Sequence, residues 1–429
     1  MNKTKETLLT AFALFSLFFG AGNLILPPFL GYNSGDQWFL TSIGFSISAV
    51  LIPILGIYAH AKIQGTMIDF AKKVSPVFSF VYCSLVYLIA IGLPSPRTAS
   101  VTHEMAISPY FNVSPLITST VYFILVFLIV INRSKLIELI GKFITPLILF
   151  ILISIMGVSI FSNNSPAANS PYPKPFSSGI LEGYQTFDAI GAVVVGAVII
   201  ISINIRSNET YIAKRKLISR AGILAGLGLF IIYTGLIFTG ALYGPEFSDN
   251  VSRTNLLNGI AAKTLGSIGR QFLSILVTLA CFTTAVGIVT GTSDYAKQIF
   301  NNSKTAFLIT AILGCSLGIL VGQLNVGYII DIAIPALAFI YPITIVLIIL
   351  NAIPAKYTSS VVFKMVVITT ILFSIPDFIQ TLGLNQDFSS WHQFIPFSEH
   401  QLGWTAPALI ALIATNIFLK YSDKLKSTS

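Results

Sequence analysis

Twelve stretches of the chain are predominantly apolar, at 7–31, 38–60, 77–105, 115–131, 139–161, 179–205, 218–243, 269–295, 305–322, 328–350, 361–383 and 402–420. Polar and charged residues gather in the segments between them. A helix needs roughly 20 such residues to cross the hydrocarbon core, so the pattern predicts an all-α polytopic membrane protein of twelve spans. Two spans break the pattern. In the first, Phe19-Gly20-Ala21-Gly22-Asn23 interrupts the apolar run and Pro27-Pro28 follow one turn later. In the sixth, Tyr184-Gln185-Thr186-Phe187-Asp188 places polar groups at mid-depth. Glycine weakens a helix by about 1 kcal/mol relative to alanine, and a backbone group freed in hydrocarbon stays costly until something meets it.

The positions of the breaks also predict a repeat. The segment 162–178, rich in proline, serine and asparagine, divides five spans from the next five. Because five is odd, the second block enters from the opposite face, so 1–161 and 179–350 are expected to form inverted repeats with broken helices in matching places. Two additional helices occupy 361–420.

Composition narrows the class. The 429 residues are 54% hydrophobic and 10% charged, far from a soluble chain. The net charge of +9 falls in short clusters between apolar runs, which argues against nucleic acid as a partner and for a topology signal. With the N-terminus in the cytoplasm, 20 of the 25 basic residues lie inside; Arg97 sits within a span, and Lys174, Arg253, Lys263 and Arg270 lie outside. The positive-inside rule therefore places both termini in the cytoplasm. Lys3 and Lys5 before an apolar run imitate a signal peptide, but the run is long and lacks a convincing cleavage site, so a retained helix is expected. Cys83, Cys281 and Cys315 lie inside apolar runs and predict no disulfide framework.

Several residues could carry chemistry. The break in the first span would expose the amides of Gly20, Ala21 and Gly22, suited to a carboxylate, and carbonyls near Ser16 and Phe19, suited to a hard cation; a glycine stripe for close packing is the alternative. Asp188 at mid-span needs a partner: a substrate ammonium, a coupling ion or a proton, or else a structural pair or a protonated hydrogen bond. Tyr184, Gln185 and Thr186 could donate between helices only. Thr283-Thr284, after the apolar run from Phe272 to Ala280, could share a Na⁺ shell, or could satisfy themselves on carbonyls one turn back. Leu93-Pro94-Ser95-Pro96-Arg97 should distort the third span, and Arg97 requires a counter-charge, a water cavity or a snorkelling route, for gating or for support. Asp331 and Asp377 are expected at interfaces, and Gly314, Gly318 and Gly322 in helix packing. No histidine spacing or catalytic motif points to an enzyme.

Phe19-Gly-Ala-Gly-Asn-Leu-Ile-Leu-Pro-Pro28, Pro96-Arg-Thr-Ala99 and Glu182-Gly-Tyr-Gln-Thr-Phe-Asp-Ala189 together resemble the branched-chain amino acid:cation symporter family. More distantly, Gly20-Ala-Gly-Asn23 and Ala280 with Thr283-Thr284 resemble the wider amino acid, polyamine and organocation superfamily. The resemblance implies a LeuT-type 5+5 fold with discontinuous first and sixth helices, in a bacterial cytoplasmic membrane. It implies uptake of leucine, isoleucine and valine driven by Na⁺ or H⁺, with no other cofactor and no obligate protein partner. It implies a Na⁺ held by carbonyls of Ser16, Phe19 and Ala280 with hydroxyls of Thr283 and Thr284. Substrate carboxylate would meet amides at Ala21 and Gly22, carbonyls around Thr186 and Phe187 would take the ammonium, and Phe187 would flank the aliphatic side chain. Gly20, Asn23, Tyr184 and Asp188 complete the expected substrate site, with Asn23 also matching a second-sodium position in some relatives. The family carries methionine where this chain has Phe187, which bears on pocket width. An exporter or a carrier for another small neutral amino acid is the alternative within transport; a membrane-embedded enzyme or an ion channel would be a different class.

Overall fold

The computed structural model describes residues 3–132, 144–162, 169–206, 209–248, 250–383 and 394–428. The start of the expected fifth span, 139–143, lies outside them, as does His392.

The first span is two helices, α1 (Lys3–Phe18) and α2 (Ala21–Ser34). A single 3₁₀ turn leads into α3 (Trp38–Ser46), which passes through a π turn into α4 (Ile52–Ile63). After the short α5 (Met67–Ala71), α6 (Pro76–Gly92) stops at Leu93, and α7 (Pro94–Thr102) restarts with Pro94 at its first position, where a missing N–H costs nothing. The expected distortion of the third span is this restart, followed by a second π turn at His103–Ile107. α8 (Pro115–Ile131) and α9 (Thr145–Ser162) complete the first block. The sixth span is again two helices, α10 (Pro175–Tyr184) and α11 (Asp188–Arg206). α12 (Tyr211–Tyr243), α13 (Arg253–Ile299), α14 (Lys304–Val321), α15 (Val326–Ala352), α16 (Ser360–Thr381) and α17 (Thr405–Thr428) follow. α13 is one continuous run except at Gly266, which bends it with φ +62°.

Among the described residues, nine helical stretches are long and apolar enough to cross a membrane, with shorter apolar helices at Pro115–Ile131 and Thr145–Phe161. One of the nine, Ala21–Ile63, takes in the second half of the first expected span and all of the second, because the chain stays helical through the 3₁₀ turn. The chain is a multi-pass membrane protein.

Packing places the broken helices at the centre. α1 and α2 lie between α12 and α13, while α10 packs on α3 and α11 on α4 and α13. α2 and α12 approach until Gly31 faces the Ile237 carbonyl and Gly240 faces the Pro28 carbonyl, with no room for a Cβ at either. Gly314 and Gly318 on α14 lie against Ile91 and Phe123, and Gly322 just beyond it against Ala99, as close packing requires. The three cysteines are free and buried. Asp331 is exposed, and Asp377, near the end of α16, is 3% exposed.

Candidate functional site

Only Phe19 and Gly20 are non-helical in the first break. A Cβ on Gly20 would lie 2.6 Å from the Thr284 hydroxyl of α13, so the neighbour, as well as the backbone, selects glycine here. The N–H of Leu24 reaches the Gly20 carbonyl at 3.3 Å, which leaves the amides of Ala21, Gly22 and Asn23 ahead of the first intrahelical bond. Gly20 itself departs from expectation: its N–H donates to Asn23 Oδ1 at 3.3 Å and is not free.

In the second break, Phe187 adopts φ +63°, a left-handed conformation that costs an L-residue roughly 1–2 kcal/mol. The Thr186 hydroxyl donates to the Gly183 carbonyl at 2.8 Å and accepts the Asp188 N–H at 3.2 Å. The Ala189 N–H donates to the Tyr341 hydroxyl at 3.0 Å. The Phe187 carbonyl, expected to take an ammonium, accepts the Gly191 N–H at 2.7 Å as the first bond of α11. The carbonyl that turns to the centre is Gln185, which accepts from Arg97 Nη1 at 2.9 Å.

Asp188 ties the two breaks together. Asn23 Nδ2 donates to Asp188 Oδ2 at 2.7 Å, and the Tyr233 hydroxyl of α12 donates to the same oxygen at 3.1 Å. Asn23 also donates to the Tyr233 hydroxyl. The carboxylate is thus met by neutral donors, and the side-chain amide of Asn23 is committed to protein partners.

A separate oxygen cluster lies between α1 and α13. The Thr283 hydroxyl lies 3.0 Å from the Ser16 carbonyl, 2.9 Å from the Ala280 carbonyl and 3.2 Å from the Ser16 hydroxyl. Both readings of Thr283 meet here, since it bonds its own helix and a carbonyl 267 positions away. Thr284 turns to the Leu17 carbonyl at 3.4 Å. Phe19 contributes its ring, stacked between Phe15 and Tyr233 at centroid distances of 5.2 and 6.0 Å.

Between these features lies a cavity of about 30 Å³, room for a water or two. Gly20, Ala21, Gly22, Asn23, Thr186, Phe187, Asp188 and Thr284 line it, and Leu17, Phe18, Ala90, Ile190, Val194 and Ile288 give it apolar walls. Tyr184 stands apart: it stacks on Tyr341 at 4.3 Å and faces a second cavity of about 190 Å³ beside Gln185 and Asp377. From Arg97 a polar chain runs through Gln185, whose side chain donates to Glu182 at 2.9 Å, to an ion pair of Glu182 with Arg253 at 2.8 Å. Tyr233 and Tyr341 were not expected in the site. A lone hydroxyl in a run of apolar residues was the signal, and a tyrosine at a helix interface gives the same one.

The profile of the branched-chain amino acid transport proteins matches residues 3–422. The branched-chain amino acid transport system 3 carrier protein of Pseudomonas aeruginosa is 31% identical, over 97% of this chain and 96% of its own. Among solved structures, the nucleobase-cation symporter Mhp1 in a closed conformation superposes with a TM-score of 0.61 at 11% identity, covering 98% of this chain and 93% of that one. MhsT in complex with L-phenylalanine gives 0.57 at 18% identity, covering 96% and 98%. The fold is the LeuT type that the family resemblance implies.

Proposed function

This chain belongs to the branched-chain amino acid transport protein family, which makes it a secondary active amino acid transporter, and from that premise we propose that it imports leucine, isoleucine and valine by Na⁺ symport. The observation that carries the reading is the cavity between the two helix breaks: free amides of α2 at one wall, apolar side chains around it, and the Ser16–Ala280–Thr283 oxygens one turn away. The amides suit a carboxylate, the apolar wall suits a branched aliphatic chain, and a cluster of neutral hydroxyl and carbonyl oxygens suits a hard cation.

In this reading α1, α2, α10 and α11 rock against a scaffold containing the third, fourth, eighth and ninth spans. The cation joins α1 to α13 and stabilises the substrate-competent arrangement. Residues 1–161 and 179–350 act as the two inverted repeats, with 361–420 outside them. The protein lies in a bacterial cytoplasmic membrane with both termini inside, in keeping with its basic segments. The cavity as it stands is too small for an amino acid, so binding requires the helices to part.

Leucine uptake into proteoliposomes, with Na⁺ and pH gradients imposed separately, tests this. An inward Na⁺ gradient should drive accumulation at symmetric pH, and counterflow should favour leucine and valine over alanine and serine. Accumulation that follows only the pH gradient would replace Na⁺ with H⁺, with Asp188 the first group to examine. A preference for alanine or serine would displace the substrate assignment.

A further inference from the structure

Arg97 on α7 is 2% exposed and lines the central cavity. Among the described residues it forms no ion pair. One terminal nitrogen donates to the Gln185 carbonyl at 2.9 Å, the guanidinium lies over the Phe187 ring at 5.2 Å, and its Nε–H meets no acceptor. The other terminal nitrogen presses against Gly22, where any Cβ would collide with it. A guanidinium presents five donors, and one carbonyl and a ring face leave most of that capacity, and the charge, unanswered. Isolated buried charge is strongly unfavourable unless a counter-charge arrives. The acids that act on Arg97 at longer range are Asp188 and Glu182; Asp188 is engaged by Asn23 and Tyr233, and Glu182 by Arg253 and Gln185.

The contact with Gly22 brings this guanidinium to the same corner as the free amides that open α2. We propose that Arg97 binds the α-carboxylate of the substrate together with those amides, so that an anionic carboxylate is a required feature of the ligand. A carboxylate supplies the missing counter-charge and can accept two parallel N–H groups. When the guanidinium turns to it, the Gln185 carbonyl is released to the substrate ammonium, five positions along the same broken helix from Ile190 in the apolar wall. Arg97 thereby senses substrate by exchanging one acceptor for another. The inference rests on the function proposed above and adds a residue and a ligand requirement to its site.

Leucine and leucinol share an ammonium and a side chain and differ in the carboxylate. Their binding to the purified full chain, read from the rise in thermal unfolding midpoint across a ligand titration, separates the roles. In the wild type leucine should raise the midpoint at far lower concentration than leucinol. Arg97→Gln should weaken leucine by about 30-fold or more, leave leucinol little changed, and keep the ligand-free midpoint at or above the wild-type value because an unpaired buried charge is gone. Arg97→Lys should recover part of the leucine response. The assignment is overturned if leucine and leucinol weaken together, if leucine is unaffected, or if the ligand-free midpoint collapses in both variants, which would make Arg97 structural. A wild type indifferent to leucine would overturn the proposed substrate; the Arg97 contrast can then be repeated with any α-amino acid and amino alcohol pair that the wild type separates.

Discussion

At Thr283, one hydroxyl sits within 3.0 Å of two carbonyls from different helices, so its removal subtracts a proposed cation ligand without emptying the site. Thr283→Ala should raise the Na⁺ concentration for half-maximal leucine uptake about 10-fold or more, and the double change with Thr284→Ala should abolish Na⁺ dependence; a Na⁺ titration unchanged in both would remove this site. Tyr233→Phe deletes a donor to a buried carboxylate, a bond worth roughly 1.5–3 kcal/mol when the acceptor is ionised. It should lower the unfolding midpoint in the wild type and add little on an Asp188→Asn background, so equal losses in both backgrounds would uncouple the two residues. Gly20, Asp188 and Thr283 were legible in the sequence because each violates an apolar run and costs free energy there unless partnered. Which partner it finds was not legible. Asn23 and Tyr233 are 210 positions apart, and no local pattern records that they share one carboxylate. Asn23, expected in the substrate site, lines the cavity while its side-chain amide is bonded to Asp188 and Tyr233.

At the scale of elements, the Glu182–Arg253 pair fastens α10 to α13, with side-chain exposures of 11% and 21%. Those of Lys174–Glu399 are 40% and 67%. The protected pair is the one that salt screens least, and separation of α10 from α13 must break it. Glu182→Gln should therefore favour the state in which these helices have parted, increasing about 10-fold the rate at which a thiol reagent modifies a cysteine placed at Thr186. A rate unchanged or decreased would mean that the pair does not restrain the helices. Helix breaks at glycine, proline and polar clusters were readable at this scale because those residues change local backbone energetics. The helical stretch ahead of the eighth span was not: the chain is helical from Arg253, capped by Ser252, up to the kink at Gly266 that precedes the apolar run announced at 269.

For the whole molecule, substrate and cation would each bridge parts that move relative to one another, the cation between α1 and α13 and the amino acid between the two breaks. Two ligands that favour the same arrangement must strengthen each other by the same factor. Calorimetric titration should show saturating Na⁺ lowering the leucine dissociation constant and saturating leucine lowering that of Na⁺ by an equal ratio, on the order of 5- to 150-fold; independence of the two constants would rule out coupling through a common state. The LeuT-type fold was legible through the family resemblance carried by motifs at the two breaks, which lie in the first and sixth spans. The closure of the cavity to about 30 Å³ was not, since it depends on residues from four spans, the first, third, sixth and eighth, filling one space.

Phe187 carries φ +63° at the joint of the sixth span while its ring forms part of the cavity wall and lies beneath Arg97. One residue is therefore both articulation and gauge. Exchanging its side chain to admit a wider or narrower ligand also alters how readily the backbone holds its left-handed turn, most of all for glycine or asparagine, which relax it. On the function proposed above, selectivity and turnover cannot be adjusted independently at this position: a variant that broadens the substrate range would inherit a different cycling rate, and restoring that rate would require a compensating change elsewhere in the joint.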